Sequence, residues 1–195
     1  MKKEIIFVFL SLFSVQNIYS QIVSEKEANQ LFIDKKYSTA QSIYQQLINQ
    51  EESNSAISYH LAKCSKELFL SDAIFLYNKH LEDYPSSPFK NQVYEDMALI
   101  YFRSKQYSDA IFFLNKLDRL YMSSDLMFKL AYANFSIDSI EEASYHFSKL
   151  KIKESKYKEA SEYYYAYISY KNKQYNTALL SFMKLLDSKK FSSIV

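Results

Sequence analysis

The sequence predicts an all-α protein, a right-handed α-solenoid of about five helix-turn-helix pairs. Three features of the 195-residue chain support this fold class. One short motif recurs at a near-constant period, a small residue precedes four of its five copies at a fixed distance, and polar turns separate the helices of a pair. With 48% hydrophobic residues, the chain can bury a sizeable core.

The recurring motif consists of an aromatic or aliphatic residue, an alanine three positions later and a large apolar residue four positions beyond the alanine. Apolar residues at spacings of three and four form one stripe on a helix, so each copy predicts a helix with one buried face. The five motif alanines are 33, 37, 33 and 35 residues apart. The copies are Tyr37-Ala40-Tyr44, Leu70-Ala73-Tyr77, Tyr107-Ala110-Leu114, Ile140-Ala143-Phe147 and Tyr175-Ala178-Phe182.

A second regularity concerns the residue twelve positions before each motif alanine. A small residue at a helix crossing lets two backbones approach closely. Polar stretches at residues 34–36, 104–106 and 172–174 break the apolar stripe between the two helices of a pair. An ordinary helical bundle is the alternative, but a bundle has no reason to keep one motif at a near-constant period. The five residues are Ala28, Leu61, Ala98, Ala131 and Ala166.

Two serines predict helix starts. Ser24 is followed by Glu27, and Ser38 by Gln41, at the spacing of a capping box, in which the serine hydroxyl accepts a backbone hydrogen bond. We therefore expect Ser24 to begin the first helix of the first pair and Ser38 to begin the second helix of that pair.

The period and the motif resemble the tetratricopeptide repeat (TPR), a helix-turn-helix of about 34 residues whose second helix carries A-x3-F and ends near a proline. Pro85 follows Ala73 by twelve residues, where that pattern places its proline, and the other four copies lack it. The resemblance covers the whole chain after residue 20. It implies repeats at about residues 21–53, 54–90, 91–123, 124–158 and 159–192.

The first residues have the character of a secretory signal peptide. Lys2 and Lys3 precede an apolar run at residues 5–13, and a polar stretch follows the run. We place cleavage after Ser20, so residues 1–20 are the expected signal peptide and residues 21–195 the array, in the periplasm or cell envelope. The alternative is a buried helix of the folded domain. No later segment approaches the ~18 uninterrupted apolar residues of a membrane span.

Several classes of function are disfavoured. Because the chain has no glycine, phosphate-binding loops and dinucleotide-binding turns are excluded. A net charge of +2 gives no indication of a nucleic-acid partner, which normally needs a concentrated basic face. His60 and Cys64 share a helix face, but two ligands do not make a zinc site. We expect no catalytic residues, no metal and no cofactor.

The resemblance extends to TPR proteins of the Gram-negative envelope. Residues 81–88 between two helices, the signal peptide followed at once by repeats, and the tyrosine-rich residues 163–167 are similar to features of those arrays. The resemblance implies a non-catalytic scaffold or adaptor that binds a protein or peptide. Two alternatives stay open: a cell-wall glycan-binding module, because tyrosines can also stack on sugars, and an outer-membrane protein assembly component, although the chain lacks a lipid-bearing cysteine after its signal.

The TPR resemblance also places the partner site. In a TPR the first helix of each pair lines the concave groove, at positions fifteen, eleven and seven residues before the second-helix alanine. In the C-terminal half of the array these positions carry four aromatic rings and two basic residues, a surface suited to an extended peptide with an apolar residue and a carboxylate. The alternative is that the rings are core residues. The predicted binding residues are Arg103, Phe128, Tyr132, Tyr163, Tyr167 and Lys171.

The last repeat is expected to lack a cap. The residues after its second helix are too few for a capping helix and include Phe191 and Ile194. Because an uncovered stacking surface would face water, we expect continuation into a longer array or association with another subunit. The alternative is that Phe191 and Ile194 fold back over this surface.

Overall fold

The computed structural model describes residues 24–186, which fall into two compact units that divide after Phe89. The predicted signal peptide, Phe191 and Ile194 lie outside the described residues. Within residues 24–186 the chain forms ten α-helices, one short 3-10 helix and no strand. The first unit contains α1 (Glu25–Ile33), α2 (Tyr37–Asn49), α3 (Ser55–Glu67) and α4 (Ala73–Asp83). The second contains α5 (Lys90–Arg103), α6 (Tyr107–Leu114), the 3-10 helix (Arg119–Tyr121), α7 (Ser124–Ser136), α8 (Ile140–Leu150), α9 (Lys158–Lys171) and α10 (Tyr175–Leu186).

Odd-numbered helices are the first helices of five pairs, and even-numbered helices are the second. Every motif alanine lies on a second helix and is at most 3% exposed. Each residue twelve positions earlier lies on a first helix and is at most 4% exposed. The two regularities of the sequence therefore mark the helix crossings, and the predicted fold class is confirmed.

The cores of both units form around these crossings. In the first unit, Ala28 and Ala40 pack with Tyr44 and Leu47, and the Tyr44 hydroxyl donates a 2.7 Å hydrogen bond to the Asn29 side chain. In the second unit one cluster surrounds Ala98, Leu114 and Leu130. A second cluster joins Ala131, Ala143, Phe147 and Ile168, and its outer layer is largely aromatic. That aromatic layer contributes part of the candidate site.

The turns inside the helix pairs adopt a left-handed backbone conformation at residues other than glycine, because the chain has none. One residue at the end of each first helix has a positive φ, the region that glycine favours. At one such turn the Lys105 amide donates to the Phe102 carbonyl (3.0 Å) and the Gln106 amide to the Tyr101 carbonyl (2.9 Å), the pattern of a Schellman motif. The predicted polar turns at 34–36, 104–106 and 172–174 are confirmed. The positive-φ residues at these ends are Lys35, Phe69, Lys105, Asp138 and Lys173.

Of the two predicted caps, one is confirmed and one is wrong. The Ser24 hydroxyl accepts a 3.2 Å hydrogen bond from the Glu27 amide and caps α1. Ser38, however, lies inside α2, which begins at Tyr37 after Lys36, and Lys36 forms no side-chain cap. The Schellman turn that ends α1 leads so directly into α2 that the Lys36 carbonyl already accepts from the Ala40 amide (3.0 Å), leaving Ser38 no place outside the helix. Across residues 24–186, no helix has the length and apolar character needed to cross a membrane.

Candidate partner-binding surface

The predicted site residues lie on the first helices of the second unit. Arg103 is the last residue of α5, Phe128 and Tyr132 lie one turn apart on α7, and Tyr163, Tyr167 and Lys171 lie one turn apart on α9. Residues four apart on an α-helix share a face, so α7 and α9 each present one row of side chains. We call the α9 row Tyr163, Tyr167 and Lys171.

The two rings on α7 are mainly core residues. Phe128 stacks on Tyr157 at a centroid distance of 4.7 Å and meets Phe147 edge-on at 5.8 Å. Both Phe128 and Tyr132 are half-buried against the cluster around Phe147. Tyr132 also contacts Phe102 (6.0 Å), which immediately precedes Arg103. Five aromatic neighbours, these three with Tyr107 and Tyr164, surround the α7 rings, so the first role of the α7 rings is to join neighbouring first helices.

The α9 row is more open. Tyr163 is 43% exposed and touches Phe182 of α10 at 6.3 Å. Tyr167 is half-buried, with its ring 5.9 Å from Phe135, while Lys171 is exposed and its ammonium lies 5.7 Å from the Tyr167 ring centroid. An ammonium near a ring face is attracted by the ring quadrupole. The row therefore offers two ring surfaces and a positive charge within two helical turns.

Arg103 has an exposed side chain at the C-terminal end of α5. A cation in the last turn of a helix interacts favourably with the helix dipole, so the position suits an arginine. The structure thus groups Phe128, Tyr132 and the α9 row through shared aromatic contacts, and places Arg103 at the margin of this group.

Sequence reasoning missed the residue that joins the group. Tyr164 contacts Tyr132 at 5.8 Å, Phe135 at 5.3 Å and Phe147 at 4.9 Å, the last in a stacked geometry. Burial, followed by the neighbouring phenols of Tyr132 and Tyr163, raises the pKa of Tyr164, so its hydroxyl stays protonated at neutral pH. The signal for Tyr164 was available, since Tyr164 precedes buried Ile168 by four residues and shares its face.

A polar cluster secures the other end of α7. Asp125 accepts hydrogen bonds from Lys129 of the same helix and from the Tyr157 hydroxyl, which precedes α9. Burial alone would raise the pKa of Asp125, but the hydrogen bonds from Lys129 and Tyr157 hold it below its ordinary value. Because Tyr157 also stacks on Phe128, this cluster fixes the spacing of α7 and α9 beneath the candidate surface.

A charged cavity of about 620 Å³ lies where the loop after α8 meets α9 and the end of α10. Glu162 is buried at its edge and receives a 3.3 Å hydrogen bond from Lys151, whose ammonium also lies 3.7 Å from the Tyr165 ring centroid. The cavity is also lined by Ile152, Glu154, Ser155, Lys156, Lys158, Glu159, Lys184 and Leu185.

His60 and Cys64 form no reactive pair. The His60 ring lies between aromatic neighbours, with Phe32 at 4.7 Å and Tyr44 at 5.6 Å. Burial lowers the pKa of His60 and raises the pKa of Cys64 to about 12, so the thiol remains protonated. Among residues 24–186, no group of three or more histidine, cysteine, aspartate or glutamate side chains is arranged to hold a metal ion.

Comparisons with known proteins identify the fold. No protein-family model matches the chain, and neither does any curated protein. Solved structures of MamA, a TPR protein, do match it. MamA AMB-1 superposes with a TM-score of 0.69 at 16% identity, covering 93% of this chain and 99% of that one. MamA MSR-1 gives 0.66 at 18%, covering 89% and 98%, and MamA 41-end from Desulfovibrio magneticus RS-1 gives 0.63 at 13%, covering 83% and 90%.

At these identities the similarity establishes the fold. The chain has a TPR-like solenoid fold, as its motif spacing predicts.

Proposed function

We propose that the protein is a non-catalytic adaptor of the bacterial cell envelope that binds a protein or peptide through the first helices of its second unit. The observation that carries the proposal is the open α9 row, in which Tyr163 and Tyr167 present ring surface beside Lys171. Aromatic rings and a cation next to a half-buried floor are typical of binding hot spots. Phe128 and Tyr132 form that floor, and Arg103 extends the charge at its margin.

The ligand that suits this surface is an extended peptide segment with an apolar side chain and a carboxylate. The apolar side chain would lie against Tyr163 or Tyr167, and the carboxylate would approach Lys171. A hydrogen bond between charged groups is roughly twice as strong as one between neutral groups, so the lysine sets the orientation of the peptide.

The envelope location rests on the sequence. Lys2, Lys3 and the apolar run at residues 5–13 match a secretory signal peptide. We expect the mature protein to begin at Gln21 and to leave the cytoplasm. Fractionation and N-terminal sequencing test this expectation, with a variant lacking residues 1–20 as control. Recovery of the full-length chain in the cytoplasmic fraction would contradict it.

The partner class is tested by placing a photo-crosslinking phenylalanine analogue at position 167 in envelope extract, with the same analogue at exposed position 121 as control. We expect a discrete protein adduct from position 167 alone. Co-sedimentation with purified peptidoglycan runs beside it. Retention on peptidoglycan without a protein adduct would replace the proposal with the glycan-binding alternative. An adduct to an outer-membrane assembly protein would favour the assembly role.

We also propose that the last helix pair continues into another repeat or another subunit. Phe102 of α5 and Phe135 of α7 each contact the next first helix, through Tyr132 and Tyr167 respectively. The equivalent residue of α9, Tyr170, is 57% exposed. On α10, Leu179 and Leu186 are also more than half exposed. A protein that stays monomeric at high concentration and binds no hydrophobic dye would refute this proposal.

A further inference from the structure

A second repeated pattern lies on the second helices of the pairs, whereas the candidate surface lies on the first helices. Every second helix except α2 carries a large exposed apolar side chain two residues after the motif alanine. An exposed lysine follows six residues after the same alanine, either in the helix or in the turn after it. The register of α2 has Ser42 and Gln46 instead. The pairs are Phe75/Lys79, Phe112/Lys116, Tyr145/Lys149 and Leu180/Lys184.

The members of each pair are four residues apart and share a face. The Lys116 ammonium lies 4.4 Å from the Phe112 ring centroid, and the Lys149 ammonium 5.3 Å from that of Tyr145. The apolar side chains are nevertheless more than half exposed, at 54% for Phe112, 59% for Tyr145 and 62% for Leu180. A lysine stem that served only to cover its ring would leave less apolar surface in water. We call the three pairs of the second unit the outer row.

Charge is polarised across the outer row. Lys149 and Lys184 stand in the last turns of α8 and α10, and Lys116 stands in the turn that follows α6. Exposed acids stand in the first turns of two of these helices, as Asp109 on α6 and as Glu141 and Glu142 on α8. Helix dipoles favour this distribution of charges, but they do not explain the exposed apolar side chains between the charges. The surface therefore has an apolar centre, a basic edge and an acidic edge.

A cavity adds a separate observation at the basic edge. Lys184 of the outer row lines the 620 Å³ cavity, together with three other lysines and the carboxylates of Glu154, Glu159 and Glu162. In the first unit, a cavity of about 460 Å³ is lined by Phe75 and Lys79, the pair at the same register. Space beside the row lysine thus recurs in both units, in different parts of the chain.

The chemistry of the row selects the occupant. An amphipathic helix has one apolar stripe with polar faces on either side. That arrangement matches an apolar centre between a basic edge and an acidic edge. Its apolar stripe would face Phe112, Tyr145 and Leu180.

We propose that the outer row is a second docking site, which binds an amphipathic helix of a partner protein with an acidic flank against Lys116, Lys149 and Lys184. The basic flank of that helix lies over Asp109 and Glu142. This site is separate from the first-helix surface, so one protein can hold two partners at once.

The test uses a synthetic probe helix of about three heptads, with leucines along one face, glutamates on one flank and lysines on the other. A second peptide carries lysines on both flanks. We expect the first to bind at least about tenfold more tightly than the second at low salt, and the difference to shrink as salt screens the charges. Equal affinities, or no binding of either peptide, would overturn the proposal.

Three variants assign the binding to the row. The triple change F112S, Y145S and L180S gives the row the serine of α2 and should weaken the first peptide at least about tenfold. The triple change K116Q, K149Q and K184Q should abolish the preference between peptides. The matched control K26Q, K36Q and K153Q removes the same charge elsewhere and should change neither affinity. An equal effect of the control variant would refute the assignment.

A measurement on the unaltered protein guards against misfolded variants. Bound peptide should slow acetylation of Lys116, Lys149 and Lys184 but not of Lys26, Lys36 or Lys153. Uniform protection would contradict a defined site. Vesicles of phosphatidylcholine with about 30% phosphatidylglycerol test a membrane surface instead. Vesicle binding that needs the same six residues, without peptide binding, would overturn the helix proposal.

Discussion

Replacing Lys105 by glycine should stabilise this protein. Lys105 lies in the turn after α5 with φ at 59°, in the left-handed region where a side chain crowds the following carbonyl. Its amide and that of Gln106 donate the two hydrogen bonds of a Schellman turn, and glycine keeps both. The lysine side chain is exposed, so its removal leaves no cavity.

The size of the gain follows from two opposing effects. A residue with a β-carbon costs about 1–2 kcal/mol in the left-handed conformation. Glycine gives up about 0.4–1 kcal/mol because its unfolded chain has more conformational freedom to lose. Taking the middle of each range, the expected net gain in the free energy of unfolding is about 0.8 kcal/mol. This gain corresponds to a rise in Tm of about 2–3 °C for a chain of this length.

The assay is urea unfolding followed by circular dichroism, comparing Lys105→Gly with Lys105→Ala. Alanine also removes the charge and the side chain but keeps the β-carbon, so it should give none of the gain. The two variants should share one m-value and differ in midpoint. If the alanine variant is as stable as the glycine variant, backbone strain at this turn is not what limits stability.

Four further substitutions test the core and its titration. Ala110→Leu should cost roughly 1–3 kcal/mol by overpacking a helix crossing, and an unchanged Tm would mean that the helices do not cross there. Tyr132→Ala should cost about 2–4 kcal/mol, whereas Tyr163→Ala, on the open row, should cost less than about 1 kcal/mol; equal losses would assign both rings to the core. Burial lowers the pKa of His80 and His146 in the folded protein below 6.5, so the free energy of unfolding should be highest above that pH and fall below it. His146→Gln should therefore flatten the dependence of the urea midpoint on pH between about pH 7.5 and 5. An unaltered slope would show that burial of His146 does not cause the loss of stability.

The fold could be predicted because the sequence repeats what a helix crossing needs. Ala110 and Ala98 are buried where two backbones meet. Every repeat keeps the alanine of Ala110, and four of the five keep a small residue at the position of Ala98, so the small residues recur with the period of the array. The predicted helix start at Ser38 is wrong because a capping pattern describes only a few residues. Whether a serine lies outside a helix depends on the preceding turn, and here Lys36 connects the two helices directly.

The candidate site was harder to predict than the fold. Register identified Tyr163 and Tyr167 on one row of α9, and the structure leaves that row partly open. The repeat register could not predict that Phe128 stacks on Tyr157, because those residues are 29 positions apart and meet only when two helix pairs pack together. In the run of three tyrosines at 163–165, successive side chains point about 100° apart. Tyr164 and Tyr165 therefore pack against the core cluster, while Tyr163 stays exposed.

The affinity of the double variant Tyr167→Ala with Lys171→Ala tests whether the α9 row holds the partner. Once crosslinking has identified a partner peptide, its Kd is compared for the unaltered protein, this variant and the control Tyr121→Ala with Lys153→Ala. We expect the row variant to lose at least ~1 kcal/mol, about a fivefold weaker Kd, with unchanged helicity and an unaffected control. An undiminished affinity in the row variant would contradict the claim and move the site off the first helices.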